Sequence, residues 1–159
     1  MAWWYAISKD AGPCTVTFNA TSFMGFVIAE FSTDLPGTIS VDVEDTVYRT
    51  SAVGVDGMDT PTVVATVADS LAVSIVGSDT NTTGDLEAGT GSILDANGKL
   101  DGAALNDRIA MEHEVVPTGS TALSWSPTVT FSGQVHIAIF KVVVDTPAPT
   151  FRLAPPQYF

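Results

Sequence analysis

The feature that most constrains this chain is its period. Apolar and polar residues alternate in twos through most of the sequence, and helical spacing is nearly absent. Thr and Val dominate the alternating runs, as suits a pleated, half-buried surface. Turn residues interrupt the runs about every 8 to 12 residues, the spacing of an all-β sandwich or barrel. A chain of 159 residues is long enough for one domain with a substantial core, and no linker divides it.

The runs predict strands over Trp3–Ser8, Cys14–Asn19, Met24–Ser32, Thr38–Val43, Thr46–Val53, Thr62–Val67, Leu71–Gly77, Arg108–Val116, Thr121–Ser126, Thr128–Phe131 and Gln134–Val144. Two pairs of runs are alike. Thr15-Val16-Thr17-Phe18 leads into Phe26-Val27-Ile28-Ala29-Glu30-Phe31, and Thr128-Val129-Thr130-Phe131 leads into Val135-His136-Ile137-Ala138-Ile139-Phe140. They are either a pseudo-repeat or two hairpins serving one layer. The continuous apolarity of each second run predicts a central strand buried on both faces.

Between the strands, Ser78 to Asp107 is rich in Asp, Gly, Thr and Asn and reads as a long acidic loop, with a hairpin signal at Asn97-Gly98. After residue 145 the chain becomes Pro-rich, and Pro favours an extended path. The expected organisation is therefore an antiparallel β-sandwich over residues 1–145 and an extended C-terminal arm over 146–159.

Composition bears on partners. Hydrophobic residues make up 45% of the chain and charged residues 15%, against about 25% charged in ordinary soluble domains. Either a partner covers part of the surface, or hydroxyl groups keep a Thr-, Ser- and Gly-rich domain soluble. The charge is one-sided, 18 acids to 6 bases. Such a surface repels nucleic acid and anionic membrane, and neither is expected as a partner. No run approaches the ~20 apolar residues of a spanning helix. The opening residues lack a basic region followed by an apolar one, so no signal peptide is read there. The single Cys14 cannot form an intramolecular disulfide. Asn19-Ala20-Thr21 and Asn81-Thr82-Thr83 match the glycosylation pattern and, without a signal peptide, are read as chance.

No catalytic constellation emerges. There is no nucleophile elbow, no phosphate-cradling loop and no dinucleotide fingerprint. Cys14 sits in an alternating run, and His113 and His136 have no local nucleophile beside them. Acids are plentiful, but nothing selects a pair for glycoside hydrolysis. In Glu112-His113-Glu114 the acids share one strand face and the imidazole takes the other. One metal could not gather all three, and the triplet reads as a solvated face. Asp95, Asn97 and Asp101 have calcium-loop-like spacing around Gly98 but lack the closing bidentate Glu, so a calcium site is the lesser reading and an Asx-Gly turn the favoured one. No enzyme activity and no cofactor is expected.

Aromatic residues mark the candidate interfaces. Trp3, Trp4 and Tyr5 are consecutive and project to both faces of a strand. Phe151, Leu153, Tyr158 and Phe159 decorate the Pro-rich arm, which suits docking in a neighbour's groove; the alternative is that the arm folds back on its own sandwich. Trp125 reads as core.

At Trp4-Tyr5-Ala6, Gly12-Pro13-Cys14-Thr15-Val16-Thr17-Phe18 and Ile28-Ala29-Glu30-Phe31-Ser32, the chain resembles the jelly-roll-like β-sandwich modules of phage virion proteins and of secreted bacterial surface proteins. Asp69-Ser70-Leu71-Ala72-Val73-Ser74-Ile75-Val76-Gly77 and His136-Ile137-Ala138-Ile139-Phe140-Lys141 continue the pattern. Such modules carry further strands before the aromatic one, so the resemblance implies a sheet edge completed by a neighbour. It implies a non-enzymatic virion structural protein, a capsid decoration or tail-associated subunit. That subunit would sit in the virion and pack against itself, as a homo-oligomer, and against other virion proteins. The alternative is a carbohydrate-binding or adhesion module of a secreted protein, with glycan as the ligand.

Overall fold

The computed structural model describes residues 17, 29–34, 36–78, 85–99 and 108–144, with backbone alone for 78 and 96–99. Among these residues every regular element is a β-strand and every pairing is antiparallel. The strands are β1 (Thr38–Ala52), β2 (Met58–Asp59), β3 (Val63–Ala65), β4 (Ser70–Ser78), β5 (Leu86–Ala88), β6 (Ile93–Lys99), β7 (Arg108–Val116), β8 (Gly119–Thr121), β9 (Ser124–Pro127) and β10 (Phe131–Val143). The long strands form one five-stranded sheet in the order β1-β10-β4-β7-β6. The short ones form a three-stranded sheet, β2-β9-β5, and a two-stranded ribbon, β3-β8.

Alternation assigns the faces of the large sheet. On one face, Ala52, Val76, Ala110, Phe131 and Val135 cluster with Met58, Leu86 and Trp125 of the three-stranded sheet. Further along that face, Ala72, Val116, Ile137 and Ile139 cluster with Val63 and Ala65 of the ribbon and with Leu123. Trp125 is fully buried, as its sequence predicts, and its indole N–H donates to the Ser74 hydroxyl at 2.8 Å. A buried indole needs such an acceptor. The opposite face of the sheet is apolar too: Val73, Ile75 and Met111 are buried, with Phe31, Leu71, Ile109 and Phe140 packed on them.

β10 bears out the expectation of a central strand. It lies between β1 and β4, and Val135, Ile137, Ala138 and Ile139 are wholly buried. The other second run, which ends at Phe31, differs over its described end: Ala29 to Ser32 form no strand. β4 and β7 match their predicted runs closely, and Asp69 makes the turn before β4 with a φ of 57°, a conformation Asp tolerates.

Several boundaries move. The two runs Thr38–Val43 and Thr46–Val53 are one strand, and Glu44 and Asp45 pair with Ala138 and Ile137 instead of breaking it. An edge strand can point such charges at water. The run Thr121–Ser126 divides into β8 and β9 around Leu123, and Thr128 to Thr130 form a connection, not a strand. The stretch read as an acidic loop carries β5 and β6, and the expected turn residues Asn97 and Gly98 pair with Ala110 and Ile109 inside β6.

Candidate functional site

The most polar buried point of the domain is Glu112. Alternation along β7 turns Ala110, Glu112 and Val116 toward the small sheets, with Ile109, Met111 and His113 on the reverse face. The two faces of Glu112-His113-Glu114 are thus as the sequence predicts. The solvated environment is not: Glu112 has no exposed surface. Tertiary packing covers it, because the connection from β5 to β6 folds over β7 at this point. The Gly89 amide donates to Glu112 Oε2 at 3.0 Å, while Oε1 meets no hydrogen-bond partner. Burial pushes the Glu112 pKa up to about 8. The Gly89 amide and Ser92 hydroxyl pull it down, and the nearby Glu114 and Asp56 carboxylates push it up. At neutral pH this group is a neutral acid.

The same connection is tied from a second side. Asp56, at the turn after β1, accepts the Thr90 amide at 2.8 Å, and its own amide donates to the Ser126 hydroxyl at 3.0 Å. The Thr90 amide and hydroxyl hold the Asp56 carboxyl below the usual range. Gly89 lies so close to the Ser124 carbonyl that no Cβ could be accommodated. Segment 89–92 is therefore clamped between β7, β9 and the β1–β2 turn.

Beside this clamp lies a shallow groove bordered by Val53 to Val55, Glu87 and Ser126 to Thr128. The Gly54 amide donates to the Pro127 carbonyl at 2.9 Å, which satisfies one backbone pair under the groove. The groove offers apolar side chains instead. Val55 is 81% exposed, and Val53 is exposed as well. Asp85 stands at the same end, joined to Thr128 through backbone and hydroxyl hydrogen bonds and to Arg108 at 3.1 Å.

Both outer strands of the large sheet carry an Asp in a bulge. In β1, Asp42 lies at the register shift between Val41 and Val43. It accepts Lys141 Nζ at 2.7 Å, the Thr66 amide at 2.6 Å and the Thr66 hydroxyl at 2.7 Å. Burial raises its pKa, but these hydrogen bonds and the Lys141 charge outweigh that and hold it below the ordinary value. In β6, Asp95 lies at the shift between Leu94 and Ala96, with its oxygens 2.7 and 2.9 Å from His113 Nδ1. The edge of the Phe31 ring meets His113 at 5.1 Å between centroids.

The residues singled out from sequence fall unevenly. Asp95 sits in a strand and is engaged with His113, not in an Asx-Gly turn. The Asn97 side chain and Asp101 lie outside the described residues, as do Trp3, Trp4, Tyr5, Cys14, Phe151, Leu153, Tyr158 and Phe159. No group of three or more His, Cys, Asp or Glu side chains is placed to hold a metal among the described residues. Sequence reading placed Glu112 on a solvated face and did not find the Val53–Val55 groove. The signal for the groove was faint: a Val-Gly-Val triplet at the end of the predicted Thr46–Val53 run. Comparison with protein-family models, with curated proteins and with solved structures finds no match for this chain.

Proposed function

We propose that this chain is a non-enzymatic structural subunit of a virion, of the capsid-decoration or tail-associated kind, with a jelly-roll-like β-sandwich as its body. The observation that carries the reading is one end of the domain, where Val53 and Val55 are exposed beside a groove. Exposed apolar side chains at such a place on a charge-poor domain fit a surface that a partner covers. The sandwich is supported by the two core clusters that join the large sheet to the smaller ones. The virion assignment draws on the likeness of the Gly12–Phe18, Ile28–Ser32 and His136–Lys141 runs to phage virion modules.

Such a subunit associates with itself and with other virion proteins. Sedimentation equilibrium over a hundredfold range of concentration tests this. The expected result is a mass rising above the 16.6 kDa of one chain as concentration increases. A mass that stays at one chain throughout would count against the assembly role.

A further inference from the structure

We propose that residues 89–92 form a pH-operated strap, closed over Glu112 while that carboxyl is protonated and lifted from β7 once it ionises, with the large sheet left intact. The inference stands apart from the assembly reading and rests on how β7 and this turn are built.

The first argument is which part can move. Glu112 lies in β7 with Ser74 of β4 opposite it on one side and Leu94 of β6 on the other. A strand paired on both sides cannot swing a side chain out to water without breaking its ladders. The cover is lighter. It is a single turn, closed by the Ser92 amide donating to the Gly89 carbonyl at 3.1 Å, with Thr90 and Gly91 exposed on its outer side. Gly91 has a φ of 95°, a conformation that glycine adopts without strain. Water therefore stands one turn away from a carboxyl that has no exposed surface.

The second argument is what an ionised Glu112 meets under the closed turn. Hydrogen bonds to two carboxyl groups fasten the turn: the Gly89 amide and Ser92 hydroxyl to Glu112, and the Thr90 amide and hydroxyl to Asp56. A third, Glu114, lies against Gly91, where a Cβ would stand 3.6 Å from its Oε1. The charges that act on Glu112 are Glu114, from its own strand, and Asp56, from the β1–β2 turn, and both oppose its ionisation. β4 and β9 carry no charged residue, Glu87 of β5 is exposed, and Asp95 of β6 is engaged with His113. Glu112 Oε1 has no hydrogen-bond partner in the closed arrangement. Two neutral donors and two like charges do not compensate a buried anion. Lifting the turn lets water reach the carboxylate and screens it from both neighbours, so ionisation favours the open form. Closed, the carboxyl is pushed up to about 8, against 4.5 for a hydrated glutamate, and opening becomes easier as pH rises between those values.

Amide hydrogen exchange of the full chain between pH 5 and pH 9, corrected for intrinsic rates, tests the strap, and the NMR shift of the Glu112 carboxyl carbon follows its titration in the same samples. Protection of the Gly89 and Thr90 amides is expected to fall roughly tenfold per pH unit, the dependence of an opening that releases one proton, and to level off near the folded value of about 8. Their exchange is expected to be far faster than that of β4 and β10 amides and insensitive to low urea, as local opening is. Glu112→Gln is expected to remove the pH dependence. Glu114→Gln, at a half-buried position, removes one opposing charge and is expected to move the levelling-off to lower pH. Each of the following results overturns the strap: protection that stays flat while Glu112 titrates, an equal pH slope in Glu112→Gln, or, should that variant not fold, a levelling-off that Glu114→Gln leaves unmoved. So does exchange of Gly89 and Thr90 at the rate and urea dependence of the β4 and β10 amides, which means that they open only with the whole domain.

Discussion

Glu112 shows what a single buried side chain asks of its surroundings. Its carboxyl is kept neutral by burial, and the linkage has a definite sign. The folded value of about 8 lies above the unfolded value of 4.5. Below 4.5 both states hold the proton. Between 4.5 and 8 only the folded state does, so stability falls as pH rises across that window, then levels off above 8. The whole effect is on the order of 5 kcal/mol, at about 1.4 kcal/mol per pH unit. Glu112→Gln is expected to flatten this slope and to be more stable than the parent at pH 9. Denaturant midpoints from pH 4 to pH 9 check it, and an unchanged slope in the variant would assign the effect to another group. Gly89→Ala is expected to be strongly destabilising, because the new methyl meets the Ser124 carbonyl, a fixed backbone atom. Neither residue was legible in the sequence: an acid in an alternating strand looks the same whether water or a folded-over connection faces it.

At the scale of elements, the two strands that end the large sheet among the described residues carry the same device. A bulge bends a strand and raises its local twist, and at a sheet edge it discourages pairing with another chain. Here each bulge also points an Asp back to the neighbouring strand, Asp42 to Lys141 of β10 and Asp95 to His113 of β7. Asp42 gains the Thr66 amide and hydroxyl as well, which ties β1 to the connection after β3. Asp42→Asn is expected to lower stability at neutral pH by about 1 kcal/mol, the scale of a charge-assisted hydrogen bond partly open to water. Since the folded pKa is depressed, the contribution is present above the unfolded value of 3.8 and is lost as pH falls through the folded value. Parent and variant unfolding curves should therefore converge in acid. The strands themselves were largely legible. Arg108–Val116 is read to the residue, and β4 and β10 follow their alternating apolar runs. The short strands were less so, because three residues are too few for a period, and β5 and β6 were hidden by Asp, Asn and Gly residues that local propensity assigns to turns.

For the whole molecule, the dominant fact is how far apart in sequence the paired strands are. β1 pairs with β10 along nearly its full length, and Thr46 and Val135, 89 residues apart, share a hydrogen bond. Non-local antiparallel pairing is slow to form because loops must close before contacts reward them. Refolding from denaturant is expected on the millisecond-to-second scale or slower, by stopped-flow fluorescence of Trp125 and its fellow tryptophans. Microsecond refolding would show that local structure forms first. Val55→Asp is expected to weaken the proposed self-association without lowering the unfolding midpoint, since an 81% exposed side chain contributes little to the core.

The sequence by itself determined the all-β class, the central place of Val135–Phe140 and the burial of Trp125. Each follows from local period and side-chain size, which act before any tertiary contact exists. Only the tertiary structure decided that Glu112 is sealed from water, that Asp42 and Asp95 are bulge residues bonded to Lys141 and His113, and that Val53 and Val55 border a groove. Those outcomes depend on which strands become neighbours and which connections fold over them, and residues dozens of positions apart carry no local mark of that.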